Sequence, residues 1–268
     1  MNPFLLEMVF APQTVPLRST LESIEAHFDR HAVEWSRKGG ESAFRHARWY
    51  FRVAEQLLEL HEAPSQTVRD AAMAENVLWL LEEQGPEARV VVAAHNAHIA
   101  LSEHGGVAWL GRNLRSAIGD AIVSLAMTFD SGGFRAREFP GDGHLREFTL
   151  PATDSESVEH LFSAATEPVF LLDLRAPLAG AAVHEWLDTP RPMRSIGATF
   201  SDAASGVGRA RALDATYTGV FFVERAPAAT PLPSGERRGR PRPGPPSNLD
   251  FERADADGLP EHWHRPDR

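Results

Sequence analysis

The sequence contains no cysteine, and this absence removes several kinds of function together. Without thiols there is no disulfide framework, no thiolate metal site and no cysteine nucleophile. No stretch approaches the roughly 18 uncharged apolar residues that a membrane-spanning helix needs, so we expect no membrane partner. The first 13 residues lack a basic region and a cleavage site, which is typical of a cytoplasmic protein.

Basic residues are also scarce relative to acidic ones, 27 against 37, and the formal net charge is −10. A field of this sign repels phosphate backbones, so nucleic acid is not expected as a partner. The composition is otherwise ordinary, with 43% hydrophobic and 24% charged residues. The chain of 268 residues suffices for one large domain or one domain with tails.

The first third of the chain is predicted to be entirely helical. Apolar residues recur there at helical spacing over residues 21–38, 42–61 and 67–84. Gly39 and Gly85 are the expected helix stops. Thr67 and Asp70 match a capping box at the start of the third helix.

After Pro86 the pattern changes to short apolar runs. Residues 89–95 form a continuous β-branched and small apolar run, which is typical of a strand buried on both faces of a parallel sheet. The later segments predict strands over 121–129, 169–174 and 217–224, a hairpin over 134–150, and helices over 106–118, 155–165 and 178–187. This alternation predicts an α/β fold with a largely parallel sheet flanked by helices.

The predicted α/β domain covers residues 1–226. Residues 227–247 are rich in proline, glycine and arginine and are expected to form a disordered linker. Residues 248–268 resemble the opening strand and turn of jelly-roll carbohydrate-binding modules. They are either the truncated start of such a module or an unstructured acidic tail.

The main candidate site is the segment that contains His95, Asn96 and His98. In open α/β sheets, ligands bind beyond the carboxyl ends of the strands, and these residues follow the predicted strand directly. The spacing of three places both imidazoles on one side of a helical turn. There they can share a proton, bind a metal or donate to an oxyanion, although a histidine at a strand end can also be structural.

Two other chemistries have weaker support in the sequence. A zinc site would use His104 as a third nitrogen, but no His-Glu-x-x-His motif is present. No Gly-x-Ser-x-Gly motif supports a serine nucleophile. We therefore expect neither a metal nor another cofactor.

The third helix holds two further candidates, Arg69 and Asn76. This helix directly precedes the histidine segment, so one of its ends can line the same pocket. The alternative is that Arg69 forms a solvated ion pair and that Asn76 packs between helices.

Three segments together carry a family resemblance: residues 69–84 with the Arg-Asp pair and Asn76, residues 90–100 with the His-Asn-Ala-His string, and the small-residue stretch 110–134. Their order and spacing resemble the erythromycin esterase family. Members are α/β hydrolytic proteins, and some open the macrolactone ring of erythromycin. The resemblance covers about residues 45–226.

The resemblance implies metal-independent hydrolysis of a small-molecule ester by an activated water. His95 and His98 would be catalytic residues that assist the reaction, and Arg69, Asn76 and Asn96 would bind the substrate. In the family, the general base is a histidine of a Gly-Glu-x-x-His motif near the start of the domain.

This chain departs from the family at that motif. The nearest string, residues 40–44, ends in Phe44 where the histidine is expected, so the N-terminal third of the family domain is expected to be missing. The sequence therefore predicts a hydrolase that is catalytically incomplete as this chain, with a complementing N-terminal polypeptide and a misplaced start codon as the two explanations. The alternative is a non-catalytic small-molecule-binding or assembly protein with the same fold.

Overall fold

The computed structural model describes residues 14–176 and 180–230. Its α-helices are, in chain order, α1 (Thr14–Gly39), α2 (Glu41–Glu62), α3 (Gln66–Gln84), α4 (Asn96–Ile99), α5 (Leu110–Ile118), α6 (Val158–Phe162), α7 (Ala181–Asp188) and α8 (Leu213–Thr216). The predicted helical N-terminal region is confirmed. Gly40 and Gly85 flank these helices with φ of 89° and 93°, a backbone region that other residues rarely adopt.

The predicted capping box at the start of α3 is wrong. Ser65 is the N-cap residue, and its hydroxyl accepts a hydrogen bond from the backbone N–H of Val68 at 3.1 Å. Because Ser65 already caps the helix, Thr67 lies in the first helical turn and Asp70 is free for another role. The Asp70 side chain instead points into the protein and is completely buried.

The sheet has five strands: β1 (Leu125–Glu138), β2 (Leu145–Leu150), β3 (Val169–Asp173), β4 (Thr199–Phe200) and β5 (Gly219–Ala226). Their order is β2-β1-β5-β3, with β4 also paired to β1. The α/β fold with a helix-flanked sheet is thus confirmed. The central pair β1–β5 and the pair β1–β4 are parallel, whereas β1–β2 and β3–β5 are antiparallel, so the sheet is mixed.

The outer strands run antiparallel for a local reason. The predicted hairpin joins β1 to β2 through residues 139–144, and a short hairpin connection always yields antiparallel neighbours. β3 lies at the opposite edge, and it leaves Val169 and Leu171 more than half exposed. It is therefore not the buried strand that its apolar sequence predicts.

The predicted buried strand at residues 89–95 is also wrong. The segment has no regular secondary structure, although its burial alternates along the chain, and it belongs to no strand pair among the described residues. Val92 packs against α3 and α5, whereas the side chain of Val91 is 95% exposed. Backbone pairing depends on neighbours that are distant in sequence, and an apolar run alone does not supply them.

The main core lies on one face of the sheet. Ala126, Val220 and Phe222 point to this face and are completely buried against side chains of α6, α7 and α8. A second cluster joins the β1–β2 hairpin to Phe200, and a third joins α3, α5 and Val92. The opposite face of the sheet carries exposed apolar side chains.

The described helices are all too short or too polar to cross a membrane. Residues 227–230 follow β5 without regular structure. The remainder of the predicted linker and the predicted tail at 248–268 lie outside the described residues, as do the first residues of the helix predicted at 178–187.

Candidate active site

The two predicted histidines lie on a single short helical turn. His95 is the N-cap residue of α4, and its Nδ1 accepts a hydrogen bond from the backbone N–H of Ala97 at 3.1 Å. The backbone N–H of His98 donates to the carbonyl of His95 at 2.8 Å and closes the turn. The structure therefore brings both imidazoles to one end of the segment 89–95.

His98 contacts a completely buried carboxylate. Its Nδ1 lies 2.7 Å from Oδ1 of Asp70, and the same oxygen accepts the backbone N–H of Leu110 at 2.9 Å. A carboxylate accepts only, so Nδ1 of His98 donates and carries the proton. The contact fixes the tautomer of the ring and leaves the lone pair of the neutral ring on Nε2.

Arg69 lies on the other side of the His98 ring. Its Nη1 donates to Nε2 of His98 at 3.2 Å and contacts Oε1 of Gln66 at 3.4 Å. The His98 side chain is 17% exposed. The carboxylate of Asp70, the imidazole of His98 and the guanidinium of Arg69 thus form a line from the interior toward solvent.

His95 is held in a neutral form. Burial lowers its pKa, and its electrostatic interactions with His98 and with the guanidinium of Arg211 lower it further, against a hydrogen bond to the backbone of Ile196. Because Nδ1 accepts from Ala97, the proton of the neutral ring is on Nε2. His95 therefore acts as a hydrogen-bond donor near neutral pH.

The third histidine of the zinc hypothesis points elsewhere. The His104 ring stacks on Trp109 with centroids 5.0 Å apart, and its Nδ1 contacts the carbonyl of Ser102. Trp109 also meets the edge of His98 at 5.3 Å. Within the described residues, no group of three histidine or carboxylate side chains is arranged to hold a metal ion.

The two predicted asparagines make structural contacts. Asn96 binds the backbone of Met127 twice, donating to its carbonyl at 2.7 Å and accepting its N–H at 3.0 Å. It thereby fixes α4 to β1. Asn76 lies between helices, where its amide donates to Gln56 of α2 at 3.0 Å, and no contact joins it to the histidines.

Three residues of the site were not predicted from the sequence. Asp70 was assigned to a helix cap. Arg211 acts electrostatically on His95 and His104, and its Nη1 donates to the hydroxyl of Tyr217 at 3.1 Å. The buried Tyr217 donates in turn to the carbonyl of Asn96 at 3.3 Å. No local motif marks Arg211 or Tyr217, because they approach the histidines only through the fold.

A second buried carboxyl lies beneath the sheet. Oε1 of Glu159 accepts hydrogen bonds from the hydroxyl of Thr128 and from the backbone N–H of Arg194. Burial raises the pKa of Glu159 above its ordinary value. The Arg194 guanidinium donates to the carbonyls of Asp130, Pro151 and Ser205. This cluster anchors the segment that runs from Arg191 to Arg211 across the carboxyl side of the core.

A cleft of about 450 Å³ lies apart from these groups. It is lined by residues of α1, α2 and α3, including the stacked rings of Trp49 and Trp79. None of the five predicted site residues lines it. The candidate site is therefore defined by its hydrogen bonds and not by this cleft.

The family of this chain follows from comparison with known proteins. The sequence profile of the erythromycin esterase family matches residues 11–226. This chain belongs to the erythromycin esterase family. The match begins in the region before α1 and extends to the end of β5, so it includes every residue of the candidate site. The family resemblance of the Arg-Asp helix and the His-Asn-Ala-His string is confirmed.

One curated relative of this chain is the erythromycin esterase type II of Escherichia coli. It is 42% identical over 69 residues, which are 24% of this chain and 16% of the relative.

Three solved structures share the fold. A Bacillus cereus protein matches with a TM-score of 0.70 and 20% identity, over 83% of this chain and 54% of its own. A succinoglycan biosynthesis protein matches with a TM-score of 0.59 and 19% identity, over 78% and 53%. A histidine-to-asparagine mutant of the erythromycin esterase EreC, in its open conformation, matches with a TM-score of 0.59 and 17% identity, over 82% and 55%. This chain thus spans about half the length of these structures.

Proposed function

We propose that this domain hydrolyses a small-molecule ester with water, without a metal, and that His98 is the group that moves the proton. The family membership supports a hydrolase. The single observation that carries the mechanism is the 2.7 Å contact between Nδ1 of His98 and the buried carboxylate of Asp70. A buried carboxylate orients an imidazole and stabilises the imidazolium that forms when the ring accepts a proton.

The proton path follows from the tautomer of His98. Nε2 accepts a proton from a water molecule as the water oxygen attacks the ester carbonyl carbon. The carbonyl π electrons move to its oxygen, and a tetrahedral intermediate forms. When the carbon–oxygen bond to the alcohol breaks, Nε2 returns the proton to the leaving oxygen. The products are one carboxylic acid and one alcohol, so atoms and charge balance.

Arg69 has the second role in this proposal. In the structure its guanidinium donates to Nε2 of His98. Moving Arg69 toward the carbonyl oxygen of the ester would free the His98 lone pair and place a positive charge beside the developing oxyanion. His95 lies on the same turn, and its one N–H would have to leave the backbone of Ile196 before it could donate to the substrate.

The proposal also includes a catalytic apparatus that lacks one general base of the family. The Gly-Glu-x-x-His motif of the family is lacking here, and general-base catalysis is worth roughly 10²- to 10⁴-fold in rate. We propose that His98 alone supports slow hydrolysis and that a complementing polypeptide supplies this second, stronger base. The unpaired segment 89–95, which ends at His95, is where an added strand would bring it beside the histidines.

The test is ester hydrolysis by the full chain, with p-nitrophenyl acetate and erythromycin as substrates. We expect slow hydrolysis that a chelator does not change. His98→Asn should lower kcat/KM by at least about tenfold, because Asn cannot accept and return a proton. His144→Asn is the matched control, since its side chain is 84% exposed in the β1–β2 loop. Equal activity of His98→Asn and wild type would contradict the proposed role.

A second candidate function is the non-catalytic binding of a small carboxylate. It is favoured by one observation: both nitrogens of His98 have partners, and the Nδ1 of His95 is also occupied. In that case Arg69 and Arg211 would bind the anion, and the histidines would position them. Calorimetric titration of the chain with acetate and with erythronolide-type hydroxy acids distinguishes the two functions. A binding protein should bind these acids, should lose most of its affinity for them in Arg69→Lys, and should not hydrolyse the esters.

A further inference from the structure

Arg191 and Arg211 lie directly opposite each other in the backbone. They form an isolated antiparallel bridge, in which the N–H of Arg191 donates to the carbonyl of Arg211 at 3.1 Å and the reverse bond measures 2.9 Å. Opposed residues of such a pair place their Cβ atoms on the same side, roughly 5 Å apart. Like charges in this position repel each other, and a bound anion would remove that cost.

Neither guanidinium has an anionic partner among the residues that the structure describes. The Nε of each is shielded from solvent there and has no hydrogen-bond acceptor. The carboxyls nearest to them in the sequence, Asp188 and Asp214, share a hydrogen bond with each other instead. Arg191 and Arg211 are only partly buried, so the outer nitrogens of their guanidiniums can be reached from solvent. Both side chains therefore keep N–H donors for a ligand.

The two side chains are braced by aromatic residues of the core. Arg191 lies over the ring of Trp186, with its guanidinium carbon 5.0 Å from the ring centroid. Nη1 of Arg211 donates to the hydroxyl of the buried Tyr217 at 3.1 Å. Because these contacts fix the guanidiniums in advance, they would lose little conformational entropy on binding an anion.

This arginine pair lies next to the candidate active site. The hydroxyl of Tyr217 donates to the carbonyl of Asn96 at 3.3 Å, and this bond ties Arg211 to the turn that carries the two histidines. Arg211 also acts electrostatically on His95. An anion held by the pair would therefore lie at the His95 side of the turn.

We propose that Arg191 and Arg211 bind an oxyanion group of the substrate, a carboxylate or a phosphate, so that the esters hydrolysed by this domain are acidic. This inference rests on the proposed hydrolytic function and adds the class of substrate. Guanidinium groups bind such oxyanions through paired, charge-assisted hydrogen bonds. The pair supplies a local positive charge in a chain whose net charge of −10 otherwise repels acidic molecules. Arg69 remains available for the oxyanion that develops on the ester.

The first test measures binding without turnover, by calorimetric titration of the full chain with adipate and with inorganic phosphate at low salt. We expect wild type to bind at least one of these anions, and Arg191→Gln and Arg211→Gln should each weaken that binding by at least about tenfold. Arg30→Gln is the matched control, because it removes the same charge from an exposed position on α1. Wild type that binds neither anion would overturn the proposal.

Circular dichroism checks that the variants remain folded. Folded variants of both arginines that bind the anion as well as wild type would also overturn the proposal. A comparison within wild type needs no variant: adipamide, the neutral diamide of adipic acid, should bind at least about tenfold more weakly than adipate. Equal affinity for the two would show that the site does not recognise charge.

The second test compares two p-nitrophenyl esters that differ only at the far end, the monoester of adipic acid and the ester of hexanoic acid. The acidic ester should have the higher kcat/KM by about tenfold or more, mainly through a lower KM, and Arg191→Gln should remove this preference. Equal kcat/KM for the two esters in wild type would overturn the acidic substrate class. If neither ester is hydrolysed, the proposed hydrolytic function is wrong, and the calorimetric result alone decides the anion site.

Discussion

Asp70 and Glu159 are two buried carboxyls with the same local pattern and different consequences. Each is completely shielded from solvent, and each has one oxygen that accepts two hydrogen bonds. In each, the second oxygen has no hydrogen-bond partner within the described part of the chain. They differ in the donors: Asp70 binds an imidazole, whereas Glu159 binds a hydroxyl and a backbone N–H.

This difference in donors suits Asp70 to a role in proton transfer and Glu159 to a structural role. The imidazole bound to Asp70 reaches solvent and the guanidinium of Arg69, so under the proposed mechanism a change at the carboxylate alters the nitrogen that accepts the proton. The partners of Glu159 are a hydroxyl and a backbone N–H, which do not take up or release a proton near neutral pH. Its hydrogen bonds instead fix the segment at Arg194 to the sheet. Burial alone therefore does not distinguish the two carboxyls, whereas the identity of the hydrogen-bond donor does.

The largest expected effect is on catalysis at Asp70. Asp70→Asn replaces the acceptor with an amide that can donate to Nδ1, which favours the wrong tautomer of His98. We expect kcat/KM for p-nitrophenyl acetate to fall by about 10²- to 10⁴-fold. Glu159→Gln is the matched control and should stay within about threefold of wild type. Equal losses in both variants would remove the distinction between the two carboxyls.

The next effect tests how tightly the surroundings of Asp70 are built. Gly111 follows Leu110, whose N–H binds Asp70, and a Cβ there would lie 2.3 Å from the carbonyl oxygen of Ile99. Gly111→Ala should therefore destabilise the protein by about 2–4 kcal/mol in denaturant unfolding. Gly39→Ala has nothing within 4 Å of the new Cβ and should change the free energy of unfolding by less than about 1 kcal/mol. A tolerated Gly111→Ala would show that α5 can move away from the histidine turn.

The pH dependence of stability sharpens the comparison at Glu159. Burial raises the pKa of this carboxyl, so the folded protein holds its proton more tightly than the unfolded chain. The free energy of unfolding should then fall as the pH rises from about 4.3, the unfolded value, through the folded pKa. Glu159→Gln keeps the acceptor oxygen and removes the titration. Its stability should change less than that of wild type over this range, as measured by thermal melts from acid to neutral pH.

The smallest effect concerns His95 and has the opposite sign. Burial lowers its pKa, so the unfolded chain binds the proton more readily. Stability contributed by the neutral ring is present above about pH 6.5 and is lost as the pH falls through the folded pKa. His95→Asn retains a good N-cap and should reduce this acid loss, with less than about 1 kcal/mol change at pH 8. The measurement is the urea midpoint of unfolding as a function of pH. If the midpoint of His95→Asn falls at acid pH as much as that of wild type, another group is responsible for the loss of stability.

The local features of this fold could be predicted from the sequence. The bounds of α2 and α3 and the end of α1 follow from apolar spacing and from Gly39 and Gly85, because helices form from contacts a few residues apart, whereas α1 begins at Thr14, seven residues before the predicted start. The hairpin that joins β1 to β2 follows from its glycine-rich turn. His95 and His98 lie together, as predicted, because a spacing of three on a helical turn fixes their proximity.

The remaining features depend on contacts between distant parts of the chain. The sequence around Asp70 fits a helix cap as well as it fits a buried partner of His98, and only the position of Ser65 decides between them. The run at 89–95 predicts an extended backbone and cannot show whether a neighbouring strand pairs with it. Arg211 lies more than 100 residues from His95, so no motif could have connected them.

The side-chain amide of Asn96 joins the helical turn of the histidines to strand β1. Asn96 lies between the two histidines in the chain and makes two hydrogen bonds to the backbone of Met127. The side chain of Met127 is exposed on the face of the sheet opposite the core. Because one amide side chain makes both of these hydrogen bonds, the path of β1 at Met127 sets the position of the turn that carries the two imidazoles.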